Sequence, residues 1–424
     1  MTRWIGAEKA GDLLKPGMTV FVAGATSEPR EVLEALAGNR ERCAGVRFVS
    51  VTVPGINHSD LSTLHEDARS TVFLVTPDNR WSVAEGRTGF VPMHYSAIYR
   101  YLEQELDVDV AILQLPPADR NGSHSLGISA DFAPAVLGKA KLVIGEVNSR
   151  QPSVADAPRL LPGRLDYAVA CDRPVPTLAQ AKADKAALGV GRNVAELVND
   201  GDCIQIGIGA IPDAALSALS GKNDLGVHSG MISNGVRALA ESGNINGRCK
   251  AIDHGRIVCG ATLGGIELVE WAGRSASLSV RPVGYTHDGA VLREIENFVS
   301  INSALEIDLF GQVNAEMLDG RQVSGTGGAV DMMRGAALSK GGRSIVALSS
   351  TAGGGKFSRI VSALAPVNSV TALRTDVEFV VTEFGARRIR HLPLRQRAEA
   401  LIEISHPDYR DRLLDEWHEL AANQ

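Results

Sequence analysis

Aromatic residues make up only 5% of this sequence, and no apolar run approaches the ~20 residues that span a bilayer. Residues 1–9 contain no apolar core of signal-peptide length, so we expect a cytoplasmic protein with no membrane partner. Cysteine is sparse as well. Cys43, Cys171, Cys203, Cys249 and Cys259 lie far apart, and no two have CxxC spacing. This excludes a zinc ribbon and a thioredoxin-like motif, predicts reduced thiols, and leaves no metal site to expect. There is no basic excess either: 43 Lys and Arg stand against 49 Asp and Glu, a net charge of −6. Without a broad positive field, no nucleic-acid partner is expected.

Glycine, by contrast, is abundant: 44 of 424 residues, above the usual share of roughly 7%. Many tight turns and backbone-lined sites would account for it. The length predicts two or three domains, and an internal repeat points to two. Residues 17–36 read GMTVFVAGATSEPREVLEAL, and residues 201–219 read GDCIQIGIGAIPDAALSAL. Each is a turn, a short apolar strand, a glycine-containing loop and a proline opening a helix, where a missing N–H costs nothing. Fainter echoes follow at 109–127 and 305–325. Short apolar strands followed by helices predict an α/β fold with mainly parallel sheets. We expect two tandem related α/β domains, 1–185 and 190–424, joined through the Ala- and Lys-rich stretch 177–185.

Three glycine loops are candidate binding elements. At Gly207, Ile208, Gly209, Ala210 and Ile211, backbone amides at a helix start can face an anion with no side chain in the way. A dinucleotide fingerprint is absent, because Pro212 stands where the third glycine of GxGxxG belongs. Residues 324–328 form a second loop, which a plain hairpin turn would also explain. Residues 352–356 form a third, ending in Lys356, which would pair with an anion or simply be solvated. Asp331 and Arg334, three apart, read as a helical ion pair. Glu28 beside Pro29 reads as a helix-start charge or a substrate contact. The cluster Arg387, Arg388 and Arg390 reads as a solvated face.

These motifs resemble the acetyl-CoA hydrolase/transferase family, within the class I CoA-transferase superfamily and particularly its 4-hydroxybutyrate CoA-transferases. The likeness runs in order through Ser27-Glu28-Pro29, Ser129-Ala130-Asp131, 145–148 (GEVN), 205–215, 225–235 (LGVHSGMISNG), 307–314 (IDLFGQVN), 323–335 (VSGTGGAVDMMRG) and 381–385 (VTEFG). It implies two CoA-transferase-type domains, an acyl-CoA substrate, possibly a carboxylate acceptor, and a homo-oligomer. It further implies coenzyme A contacts at Ala304, Gly327, Gly328 and Lys356.

In such transferases a glutamate attacks the thioester, and an acyl–glutamyl anhydride and then a glutamyl-CoA thioester follow; the chemistry requires a carboxylate nucleophile. The family carries it in a His-Ser/Thr-Glu-Met stretch. Here that stretch is His228-Ser229-Gly230-Met231, so the nucleophile's position is a glycine. Two neighbours also depart from the pattern: Ala329 for Gln and Asn234 for Asp. The resemblance therefore implies an enzyme acting on a small acyl-CoA by a non-covalent route: hydrolysis, decarboxylation or C–C cleavage. His228 and Ser229 are the remaining candidates for chemistry, with open space expected beside Gly230. Two alternatives stand: transfer through another carboxylate such as Glu28 or Glu306, and an inactive protein that binds CoA thioesters.

Overall fold

A computed structural model describes residues 2–422. The chain divides into two compact units, Met1–Ala179 with Val258–Thr286, and Gln180–Ile257 with His287–Gln424. No described helix is long and apolar enough to cross a membrane.

The first unit is built on an eight-stranded sheet. Its strand order is Arg3–Ile5, Tyr167–Cys171, Leu142–Asn148, Val110–Leu115, Thr19–Val22, Arg47–Ser50, Arg69–Val72 and Thr88–Phe90. Every pairing is parallel. The central strands Thr19–Val22 and Val110–Leu115 are buried at every position. That explains their largely apolar sequence, interrupted only by Thr19 and Gln114, since helices cover both faces of a parallel sheet. The helix Arg30–Gly38 buries Val32, Leu33 and Leu36. Its Val32 amide, one of the donors a helix start leaves without an internal partner, donates to the buried Glu146 Oε2 at 3.0 Å.

In the second unit the strands Gly226–Ile232, Cys203–Ile206, Phe298–Ser303, Arg343–Ala347 and Phe379–Thr382 are parallel neighbours. Gly385–Arg388 closes the edge antiparallel. The stretch before the helix Lys185–Ala195 has no regular structure, and Asp184 caps that helix by accepting from the Ala187 amide at 2.8 Å.

Both copies of the repeat form the predicted strand, loop and helix. Thr19–Val22 lies inside its sheet and leads to Arg30–Gly38. Cys203–Ile206 lies inside the other and leads to Ala210–Ala218. The prolines differ in place: Pro29 precedes its helix, whereas Pro212 is the third residue of its own.

The echo at 305–325 turns out differently. Glu306–Asp308 pairs antiparallel with Val313–Asn314, and Met317–Leu318 with Arg321–Gln322. Asp319 and Gly320 both have positive φ, 48° and 72°, as a two-residue hairpin turn requires. The unit boundaries also depart from two contiguous halves. Residues 258–286 pack with the first unit, where Ala261 bridges to Ser129 and Ser279 to Asp156.

Candidate functional site

In the second unit three parallel strands end at one sheet edge. Cys203 pairs with Gly226 on one side and Phe298 on the other. The residues that follow, 207–209, Gly230 and Ala304, therefore come to that same edge, where ligands of open parallel sheets are usually held. Gln205 and Asn302 exchange amide hydrogen bonds of 3.2 and 3.0 Å just below it. Ser229 is fully buried and donates to the Ile206 carbonyl at 3.2 Å.

The first glycine loop ends at Gly209, which caps the helix Ala210–Ala218 with φ 119° and ψ −179°. A Cβ there would meet nothing within 4 Å, so the backbone conformation rather than crowding calls for glycine. The amides of Ala210 and Ile211 start the helix without intrahelical acceptors, and Pro212 has no amide to satisfy. The second loop, 324–328, is not a hairpin tip. It leads to Gly328, the cap of the helix Ala329–Leu338, through Gly327 at φ 62°. The two departures from the family pattern, Asn234 and Ala329, are each the first residue of a helix.

Side chains two apart on a strand share a face, so His228 and Gly230 look the same way. His228 is fully buried and meets Phe298 edge-on, with ring centroids 6.3 Å apart. Beside Gly230 the expected open space is absent. A Cβ at that position would lie 2.7 Å from Cε1 and 3.0 Å from Nε2 of His287. The imidazole of His287 thus fills the first position of any side chain at residue 230. His287 is buried, with 4% of its surface exposed. Burial pushes its pKa down to about 4, against the opposing charge of Asp331 in the first turn of Ala329–Leu338. At neutral pH the ring is uncharged.

The N-terminal domain of the acetyl-CoA hydrolase/transferase family matches residues 2–178, and its C-terminal domain matches residues 264–417. The chain belongs to the acetyl-CoA hydrolase/transferase family. It is 37% identical over 414 residues to the 4-hydroxybutyrate coenzyme A transferase of Clostridium kluyveri, covering 97% of this chain and 96% of that one. Among solved structures it is similar to RipA from Yersinia pestis, with a TM-score of 0.93 and 30% identity over 99% of this chain and 98% of that one. It is also similar to the 4-hydroxybutyrate CoA-transferase of Porphyromonas gingivalis, with a TM-score of 0.82 and 32% identity, covering 98% and 97%.

In this member of the family, the residues expected from sequence fall in four places. Gly207, Ile208, Gly209, Ala210, Ile211, Ser229, Gly230 and Ala304 gather at the sheet edge. Ala304 is buried in the apolar core with Ile307 and Val346. Gly327 and Gly328 form the lead into the neighbouring helix. Lys356 is exposed, in a hairpin whose residues Gly353, Gly354 and Gly355 all have positive φ. Glu28 belongs to the first unit. It is buried, accepts from Arg30 Nε at 3.3 Å, and lines a cleft of about 410 Å³ with Arg30, His58, Asp60 and Arg173. Burial raises its pKa, and Arg30 opposes the rise.

Arg334 forms a bidentate pair with Asp376, at 3.2 and 3.0 Å. The basic cluster is exposed at Arg387 and Arg388, as expected, and is ion-paired as well. Arg388 and Arg390 pair with the buried Glu378, and Arg387 pairs with Glu403. His287, which sequence reasoning missed, borders the Gly230 position. It is a lone histidine with no motif spacing, and only the side chain missing at Gly230 hints that another group must fill that place.

Proposed function

We propose that this chain acts on a small acyl-CoA thioester by a non-covalent route, without a glutamyl intermediate at residue 230. The observation that carries this reading is the arrangement at Gly230: no carboxylate is present, and a neutral imidazole occupies the space one would need. The bare backbone of 207–209, together with the amides of Ala210 and Ile211, offers donors to a developing thioester oxyanion or to a CoA phosphate. The loop 324–328, opening the ten-residue helix Ala329–Leu338, supplies a second stretch of unencumbered backbone for the same ligand.

A transferase working through Glu306 is less favoured. Its Oε1 already accepts from Asn314 at 2.8 Å and Asn368 at 2.7 Å, and such engagement weakens a nucleophile. The test is mass-spectrometric analysis of products from a panel of acyl-CoAs, with and without acetate. Consumption that does not depend on acetate is expected. Acetate-dependent formation of acetyl-CoA from other acyl-CoAs would favour transfer, and inertness across the panel would leave a binding protein.

A further inference from the structure

We infer that His287 is the catalytic base of a thioester hydrolysis centred on Gly230, with water as the nucleophile. This rests on the reading that the chain turns over acyl-CoA non-covalently, and it names the reaction and the group that drives it.

The geometry is specific. A Cβ on Gly230 would lie 2.7 Å from Cε1 and 3.0 Å from Nε2 of His287, so this ring edge borders the bare backbone of residue 230. Gly230 is itself only partly buried, unlike Ser229 before it. A ligand lying along the sheet edge would therefore meet bare backbone and, immediately beside it, a nitrogen-bearing ring edge. The three atoms nearest a Cβ at Gly230 all belong to His287, whereas the His228 ring packs edge-on against Phe298. His287 is neutral at neutral pH, and the charge of Asp331 opposes the cost that burial places on the imidazolium.

The step balances without any other reactant. A ring nitrogen of His287 takes a proton from water as the water oxygen bonds to the thioester carbonyl carbon. The carbonyl oxygen becomes an oxyanion facing the amides that open Ala210–Ala218. The intermediate collapses, the C–S bond breaks, and the imidazolium returns its proton to the leaving thiolate. The products are a carboxylic acid, which ionises, and CoA thiol.

The experiment follows thiol release from acetyl-CoA and butyryl-CoA by the full chain and by His287→Ala and His287→Gln, with CoA binding measured by calorimetry. Both variants should lose roughly 10²-fold or more in kcat, while CoA affinity stays near that of the unmodified protein. Free imidazole should restore part of the rate to His287→Ala, an effect that a merely structural histidine would not give. Hydrolysis by His287→Gln at the unmodified rate would overturn this inference and leave non-covalent turnover standing. A rate loss that imidazole cannot restore, in variants that still bind CoA, would also overturn it. No turnover of either thioester by the unmodified chain would overturn both readings.

Discussion

A Cβ at residue 230 would stand 2.7 Å from His287 Cε1, well inside the 3.5–4.0 Å or so that packed carbons prefer. Gly230→Glu therefore cannot enter without displacing a buried ring. We expect the single variant to lose about 1–3 kcal/mol of stability, as overpacked sites do, and to gain no acyl exchange. Removing the ring as well, in Gly230→Glu/His287→Ala, should recover part of the stability and open a route to enzyme-bound CoA. Thermal denaturation and acetyl-CoA:acetate exchange check both statements. A single variant as stable as the unmodified chain would refute the packing argument. The glycine was legible in the sequence because matching residues flank it on both sides. His287 was not, because its importance is a contact between distant stretches of chain, and one histidine carries no periodicity.

At the scale of elements, the two glycines of the loop 207–209 do different work. Gly209 has φ 119°, while a Cβ at Gly207 would meet only Pro212 Cγ, at 4.0 Å. Gly209→Ala should cost about 1–3 kcal/mol through backbone strain and weaken CoA binding by disturbing the helix start. Gly207→Ala should stay within about 0.5 kcal/mol. Melting temperatures and CoA titrations separate the two, and equal losses would contradict the assignment. The strand-loop-helix repeat was readable because glycine, proline and apolar runs are local signals. The hairpins between Glu306 and Gln322 look in sequence like a faint repeat instead. Their decisive mark is the Asp319-Gly320 pair, a turn signal only when the short flanking strands are recognised as such.

For the whole molecule, the two mainly parallel sheets followed from the sequence, but the path of residues 258–286 did not. Those residues join the first unit through bridges such as Ser129 to Ala261, and contacts this remote in sequence leave no local trace. Buried ionisable groups set the response to pH. Burial raises Glu146 and Asp131 each to about 7. The folded chain thus keeps protons that the unfolded chain releases, and their stabilising contribution, full at low pH, is lost as pH rises through 7. His287, lowered to about 4, acts oppositely: its contribution is present above its ordinary value of 6.5 and is lost as pH falls through 4. Glu146→Gln should therefore stabilise the protein against thermal denaturation more at pH 8 than at pH 6, by about 1.4 kcal/mol, because only the part of the Glu146 shift between pH 6 and 7 falls in that window. An equal change at both pH values would contradict that assignment.

The central claim is that acyl-CoA turnover here leaves no CoA on the protein. Intact-protein mass spectrometry during turnover of acetyl-CoA or butyryl-CoA, with borohydride or hydroxylamine as the trap, tests it most directly. The account predicts thiol release with an unchanged protein mass. A trapped protein–CoA thioester, or the reduced or hydroxamate product of one at any carboxylate, would contradict it and identify the true nucleophile.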